Sequence, residues 1–375
     1  MSCDYFALAA PGVRTLQPYQ PGKPESELRR EYGLSDIVKL ASNENPLGPS
    51  PKGLAAAREA LVHLARYPDG NGFELKTALS NRLKVPMEAL TLGNGSNDVL
   101  ELVARAFLTP EHEAIFSEHA FAVYPIVTQA IGATARVATA NAPDHAMPYG
   151  HDLAAMRALV NDRTRVIFVA NPNNPTGTWL KTAELEGFLK SVSERVIVVV
   201  DEAYFEYVEP ELDCPNALHW LDRFPNVVVT RTFSKAYGLA GLRVGYGVSD
   251  PQVADLLNRA REPFNVNSLA LAAATAALDD AEHLERGKAA NRAGMRQMQE
   301  ACRNFGLTWL PSAGNFLCVA LGQRSGREVF LGLLKRGVIA RPVDNYGLPH
   351  HLRISIGTEA ENARLIEALA DVLKS

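Results

Sequence analysis

Between Ala114 and Asp250 the chain repeats one pattern. Short β-branched runs alternate with helical stretches such as 152–160 and 182–192. That alternation predicts parallel strands joined by helical crossovers, hence an open α/β sheet. Three of the runs end in polar groups of different kinds. Arg165-Val-Ile-Phe-Val-Ala170 leads into Asn171-Pro-Asn-Asn174-Pro-Thr-Gly177, and Arg195-Val-Ile-Val-Val-Val200 into Asp201-Glu-Ala-Tyr204. Asn226-Val-Val-Val-Thr230 leads into Thr232-Phe-Ser234-Lys235, with Arg243 eight residues further on. Ligands of open α/β sheets bind beyond the carboxyl ends of the strands, so these three endings define one candidate site.

The flanks read differently. The first fifty residues are rich in proline and glycine and predict an extended arm with little regular structure. A helical pattern runs from Lys52 until Tyr67-Pro68 breaks it, and another begins near Ser96 or Asn97. After Glu262 come an alanine-rich helix capped by Asn267-Ser268 and a long charged helical segment. Strand-like runs follow at 306–310, 315–320, 337–341 and 352–356, and a helix closes the chain. The expected division is an arm over 1–47, a large domain over 48–262 and a small α+β domain over 263–375, with the arm belonging to the small domain.

The net charge of −4 offers no basic footprint, so nucleic acid is not an expected partner. Cys3, Cys214, Cys302 and Cys318 are scattered, and the nine histidines do not cluster, so neither a disulfide framework nor a metal site is expected. The apolar start Phe6–Ala10 lacks a basic segment before it, and no run approaches the ~18 apolar residues that span a bilayer. The expected location is the cytoplasm.

Asn174-Pro-Thr-Gly, Asp201-x-x-Tyr204, Ser234-Lys235 and Arg243, in this order and spacing, resemble the fold-type-I aminotransferases that depend on pyridoxal phosphate (PLP). The resemblance spans nearly the whole chain. Ala41–Pro46, Arg66-Tyr67-Pro68, Pro263–Asn267 and Leu352–Thr358 resemble its histidinol-phosphate aminotransferase branch. It implies a large domain with a mostly parallel sheet, a smaller α+β domain and a homodimer. The implied reaction interconverts L-histidinol phosphate plus 2-oxoglutarate with imidazole acetol phosphate plus L-glutamate. An aromatic amino-acid aminotransferase is the alternative, and a threonine-phosphate decarboxylase of the same fold a more distant one.

The resemblance implies a role for each matched residue. Lys235 holds the cofactor covalently and then carries a proton. To do so its amine must lose its permanent charge, and burial with Arg243 nearby would lower its pKa. Asp201 pairs with the pyridine nitrogen, while Tyr204 and Asn174 reach the phenolic oxygen, with Asn171 and Asn173 competing for that last role. Gly95, Ser96 and Asn97 open a helix whose free N–H groups suit the cofactor phosphate. Gly93-x-Gly95 is also a fragment of a dinucleotide fingerprint, but its third glycine is missing. Ser234 and Arg243 add donors to the phosphate, Tyr67 reaches the phosphate of the partner subunit, and Phe121 stacks on the ring. Arg353 takes the substrate α-carboxylate. Arg341 takes the distal phosphate or the glutamate side chain, and Tyr19 and Asn45 close the site. Ligand-sensing regulators of this fold carry a DNA-binding domain, for which the chain shows no pattern.

Overall fold

The computed structural model describes residues 3–374. Thirteen strands occur among them: β1 Val38–Lys39, β2 Leu90–Gly93, β3 Glu113–Ser117, β4 Thr134–Ala138, β5 Thr164–Ala170, β6 Ile197–Asp201, β7 Val227–Thr232, β8 Gly245–Val248, β9 Thr308–Trp309, β10 Phe316–Ala320, β11 Val338–Ile339, β12 Arg341–Pro342 and β13 His351–Ser355. Seven form one sheet in the order β2-β8-β7-β6-β5-β3-β4. The pairs from β7 through β4 are parallel, and only β8 runs antiparallel to both its neighbours.

This topology assembles the site. The carboxyl ends of β2, β3, β5, β6 and β7 share one edge, and reversed β8 starts there, just after Arg243. Strands β5, β6 and β7 are almost wholly buried, so both faces must be apolar, which is why they read as unbroken valine and isoleucine runs. Each buried side chain of this type contributes about 1.5–3 kcal/mol of burial free energy. Hydrophobic clusters cover both faces, one under helix Ser96–Phe107 and the other under helix Thr182–Ser191.

A second sheet, β12-β13-β10-β9, is packed under helices Ala281–Asn304, Gly326–Leu334 and Glu359–Lys374. The apolar run 337–341 divides between two sheets: β11 pairs with β1 of the arm and β12 with β13. Helix Ser268–Leu278 follows the change in sequence texture at Glu262, yet its alanines pack with Leu75, Leu92 and Tyr246 around the larger sheet.

The arm departs from the expectation of little regular structure. Helices Tyr5–Leu8, Pro11–Arg14 and Glu25–Tyr32 form within it. Asp4 caps the first, Pro11 sits where proline suits a helix start, and acidic Glu25 and Glu27 favour the third helix's N-terminus. No helix among the described residues is long and apolar enough to cross a membrane.

Candidate active site

A cavity of about 600 Å³ opens at the shared strand edge. Its lining includes Tyr19, Ser96, Asn97, Phe121, Asn174, Asp201, Tyr204, Ser234, Lys235, Arg243, Arg341 and Arg353. Thus residues distant in sequence converge on one space.

Lys235 follows β7 and donates from Nζ to the Ser42 carbonyl at 2.8 Å. Protein surrounds it on every side but the cavity, and burial pushes its pKa down to about 7, with the Arg353 guanidinium next in effect. Arg243, the cation expected to do this, contributes less than Arg353. An amine with this pKa is largely neutral just above neutral pH, so it can act as a base.

Asp201 ends β6 and is buried. Tyr124 donates its hydroxyl to Oδ2 at 2.8 Å and Thr230 donates to Oδ1 at 2.9 Å. Burial raises the Asp201 pKa, and these two donors oppose that rise. A buried carboxylate supplied only with neutral donors still lacks a positive partner, which a protonated ring nitrogen would provide.

Tyr204 is held by Asn43, whose Nδ2 donates to the phenol oxygen at 2.9 Å. Burial pushes the Tyr204 pKa up to about 12, so it stays a neutral donor. Arg353 donates from Nη1 to Asn174 Oδ1 at 2.5 Å and from Nη2 to the Ala41 carbonyl at 2.6 Å. With its oxygen engaged, the Asn174 amide has its nitrogen left as donor. Asn171 and Asn173 are used otherwise: Asn171 Oδ1 accepts from Leu180 N at 2.9 Å, and Asn173 Nδ2 donates to Thr176 Oγ1 at 2.9 Å. Arg341 donates from Nη2 to the Gln20 carbonyl at 2.6 Å and faces the Tyr19 ring.

The anion cradle depends on close backbone approach. Gly95 precedes helix Ser96–Phe107 with φ 85° and ψ 164°, a conformation essentially reserved for glycine. A Cβ there would lie 2.3 Å from Arg243 Nη2. Gly245 of β8 is equally constrained, since a Cβ would come within 2.3 Å of Ser96 N. Arg243 Nη1 donates to Ser234 Oγ at 3.1 Å, so guanidinium, hydroxyl and helix N-terminus meet. This donor set fits a phosphate.

Two expected residues lie elsewhere. Asn45 does not line the cavity; its Nδ2 donates to the Ala236 carbonyl at 2.8 Å and its Oδ1 accepts from Leu47 N at 2.9 Å. Tyr67 is 82% exposed and stacks on Phe264 with ring centroids 4.7 Å apart. Sequence reading missed Asn43, Ser42 and Tyr124. Tyr124 sits at an apolar helical position, and only its hydroxyl, placed beneath Asp201, distinguishes it from core. Among the described residues no group of three or more His, Cys, Asp or Glu side chains is arranged to hold a metal ion.

The profile of the class I and II aminotransferases matches residues 35–369. The chain belongs to that family. It is similar to histidinol-phosphate aminotransferase 2 of Pseudomonas fluorescens Pf-5, with 60% identity over 375 residues, 100% of this chain and 99% of the relative. The Pseudomonas aeruginosa PAO1 protein of the same name is 57% identical over 372 residues, 99% of each chain. Among solved structures, histidinol-phosphate aminotransferase from Sinorhizobium meliloti in complex with pyridoxal-5'-phosphate superposes with a TM-score of 0.87 at 27% identity, covering 97% of both chains. A Thermus thermophilus aspartate aminotransferase double mutant, 22% identical, shares the fold with a TM-score of 0.83 over 97% of this chain and 99% of that one. This aminotransferase therefore has the aspartate aminotransferase-like architecture, with a mostly parallel central sheet.

Proposed function

We propose that this aminotransferase uses PLP to interconvert L-histidinol phosphate plus 2-oxoglutarate with imidazole acetol phosphate plus L-glutamate. The observation that carries the reading is a pair of buried arginines, Arg341 and Arg353, facing the same cavity as Lys235. Neither belongs to an ion pair among the described residues. Two buried cations without counter-ions suit substrates that bring their own anions. Glutamate brings two carboxylates, and one arginine can serve both the distal carboxylate and a phosphate because its planar fork binds paired oxygens.

Bound PLP supplies an electron sink for the substrate α-carbon. Lys235 would hold the cofactor through Nζ, and once released that amine moves the proton at the α-carbon. Asp201 would hold the ring nitrogen protonated, Tyr204 and Asn174 would bind the phenolic oxygen, and Phe121 would cover the ring face. Gly95, Ser96, Asn97, Ser234 and Arg243 would cradle the phosphate. Arg353 orients the α-carboxylate and Arg341 the distal anion, with Tyr19 closing over it.

The protein is proposed to act as a cytoplasmic homodimer, with Tyr67 completing the partner's phosphate site. Leu61, Val62, Leu64 and Phe73, all within six residues of Tyr67 in sequence, are exposed like the Tyr67–Phe264 stack, and apolar exposure of this kind suits contact with a second copy. Free cysteines suit a reducing compartment. The pairing of β1 with β11 supports counting the arm, 1–47, with the unit 263–375 against the larger 48–262, although Ser268–Leu278 packs on the larger unit.

The test is a half-reaction. Protein converted by L-glutamate to the amino form of its cofactor is mixed with imidazole acetol phosphate or with phenylpyruvate. Return of the original absorbance should be at least tenfold faster with the phosphorylated ketone. Equal rates would transfer the assignment to an aromatic aminotransferase.

A further inference from the structure

Loops on two sides of the cavity are joined by His119, a residue with no role in the chemistry above. It lies two residues before Phe121 and is buried. Its Nδ1 is 2.6 Å from the Tyr346 carbonyl oxygen. A carbonyl can only accept, so Nδ1 carries the proton. On its main-chain side, the His119 carbonyl accepts from Asn173 Nδ2 at 3.1 Å, beside the Asn174 that binds Arg353. One residue thus links the loop after β3, the loop after β5 and the short helical turn Asp344–Tyr346.

The ring is also gripped from the side. His119 meets Tyr149 edge-on with centroids 5.4 Å apart, and Tyr149 meets His351 at 5.4 Å in the same way. Tyr149 adopts φ 58°, unusual for a bulky residue and worth a conformational cost only where its ring is needed. His351 and Arg353 lie two apart on β13 and so project from the same strand face. Burial holds the His351 pKa near 4, which keeps the ring neutral among its neighbours His350 and His119. Packing from the fourth side is just as close: a Cβ on Gly347, at φ 76°, would lie 3.3 Å from His119 Cε1.

We propose that His119 is a positioning residue that sets the separation between the anion-binding side of the cavity, carried by β12 and β13, and the cofactor side, carried by Phe121 and Asn174. This rests on the assignment of Arg341 and Arg353 to substrate anions. Freeing the clasp lets the arginines drift from the bound substrate, while the bond from Lys235 to the Ser42 carbonyl and the contact of Arg243 with Ser234 in the phosphate cradle remain, so the larger loss falls on substrate binding.

The experiment compares holoenzymes of His119→Leu, His119→Asn and Arg353→Gln by KM, kcat, cofactor absorbance and Tm. His119→Leu is expected to raise KM for both L-histidinol phosphate and 2-oxoglutarate about tenfold, with kcat within threefold and cofactor absorbance intact. His119→Asn, whose Nδ2 can donate to the same carbonyl, should recover most of that loss. An unchanged KM in His119→Leu, no rescue by asparagine, or parallel loss of cofactor and KM would each overturn the proposal. A raised KM in Arg353→Gln beside an unchanged one in His119→Leu overturns the clasp alone. An unchanged KM in Arg353→Gln removes the substrate assignment and the proposal with it. Should His119→Leu not fold, Tyr149→Asn takes its place, because asparagine suits positive φ and removes the gripping ring. There a fivefold rise in KM supports the clasp, and a wild-type value overturns it.

Discussion

Replacing Gly95 by alanine tests the phosphate cradle with a single methyl group. The backbone at φ 85° and ψ 164° is a region that costs side-chain-bearing residues about 1–3 kcal/mol. With an unfolding entropy of roughly 2.1 cal/mol/K per residue, that strain alone lowers Tm by about 1–4 °C in a chain of this length. The second effect is local. A Cβ 2.3 Å from Arg243 Nη2 must displace the guanidinium by about 1 Å to regain ordinary contact. That movement breaks the 3.1 Å bonds from Nη1 to Ser234 Oγ and the Ala240 carbonyl, and misaims the fork. One lost charge-assisted hydrogen bond to phosphate is worth about 1.5–3 kcal/mol, or roughly 10- to 150-fold in cofactor Kd. Titrating the apoprotein with PLP and following the quench of tryptophan fluorescence measures it. A Gly95→Ala protein that binds PLP within threefold of wild type would refute this account of the cradle, whatever its Tm.

Three further outcomes follow from the geometry. With neutral Lys235 as the proposed nucleophile, the rate at which apoprotein captures PLP should rise with pH up to an inflection near 7 and then level; Arg353→Gln removes a cation and should move that inflection upward, and a fixed inflection would exonerate Arg353. Asn43→Ala leaves the buried Tyr204 hydroxyl without its 2.9 Å donor and should lower kcat/KM about tenfold, whereas Asn45→Ala should act mainly on Tm; the opposite ranking would restore Asn45 to the site. Glu202→Ala strands Arg231, whose Nη2 lies 2.7 Å from Glu202 Oε2 in a fully buried pair, and should cost about 3–5 kcal/mol in denaturant unfolding, against under 1 kcal/mol if the pair were dispensable.

Much of this architecture could be read before any coordinates because two-sided burial leaves a strong imprint. Strands β5, β6 and β7 must be apolar on both faces, and the polar residues after them stand out by contrast. What escaped was set by tertiary contact rather than local pattern. Asn43 lies in an irregular stretch, and nothing nearby announces that it meets Tyr204, 161 residues on. The arm's helices were hidden by prolines, although Pro11 sits where proline favours a helix start. The run 337–341 has the composition of one strand, but its halves answer to different partners, Val38–Lys39 and Leu352–Arg353. Ranking Arg353 above Arg243 as the influence on Lys235 required knowing how the smaller sheet folds over the larger.

The contact between Asn43 and Ser355 also bears on when the enzyme can exist. Asn43 N donates to Ser355 Oγ at 2.7 Å across 312 residues of sequence, and β1 must likewise wait for β11. At about 5–20 residues per second, a ribosome needs roughly 15–60 s to make the intervening chain. Throughout that interval β1 lacks its pairing strand, so its edge is open to chaperones or to misplaced pairing. Closure of residues 38–43 onto the smaller domain therefore waits for β11 and Ser355, however early their contacts with the larger sheet form.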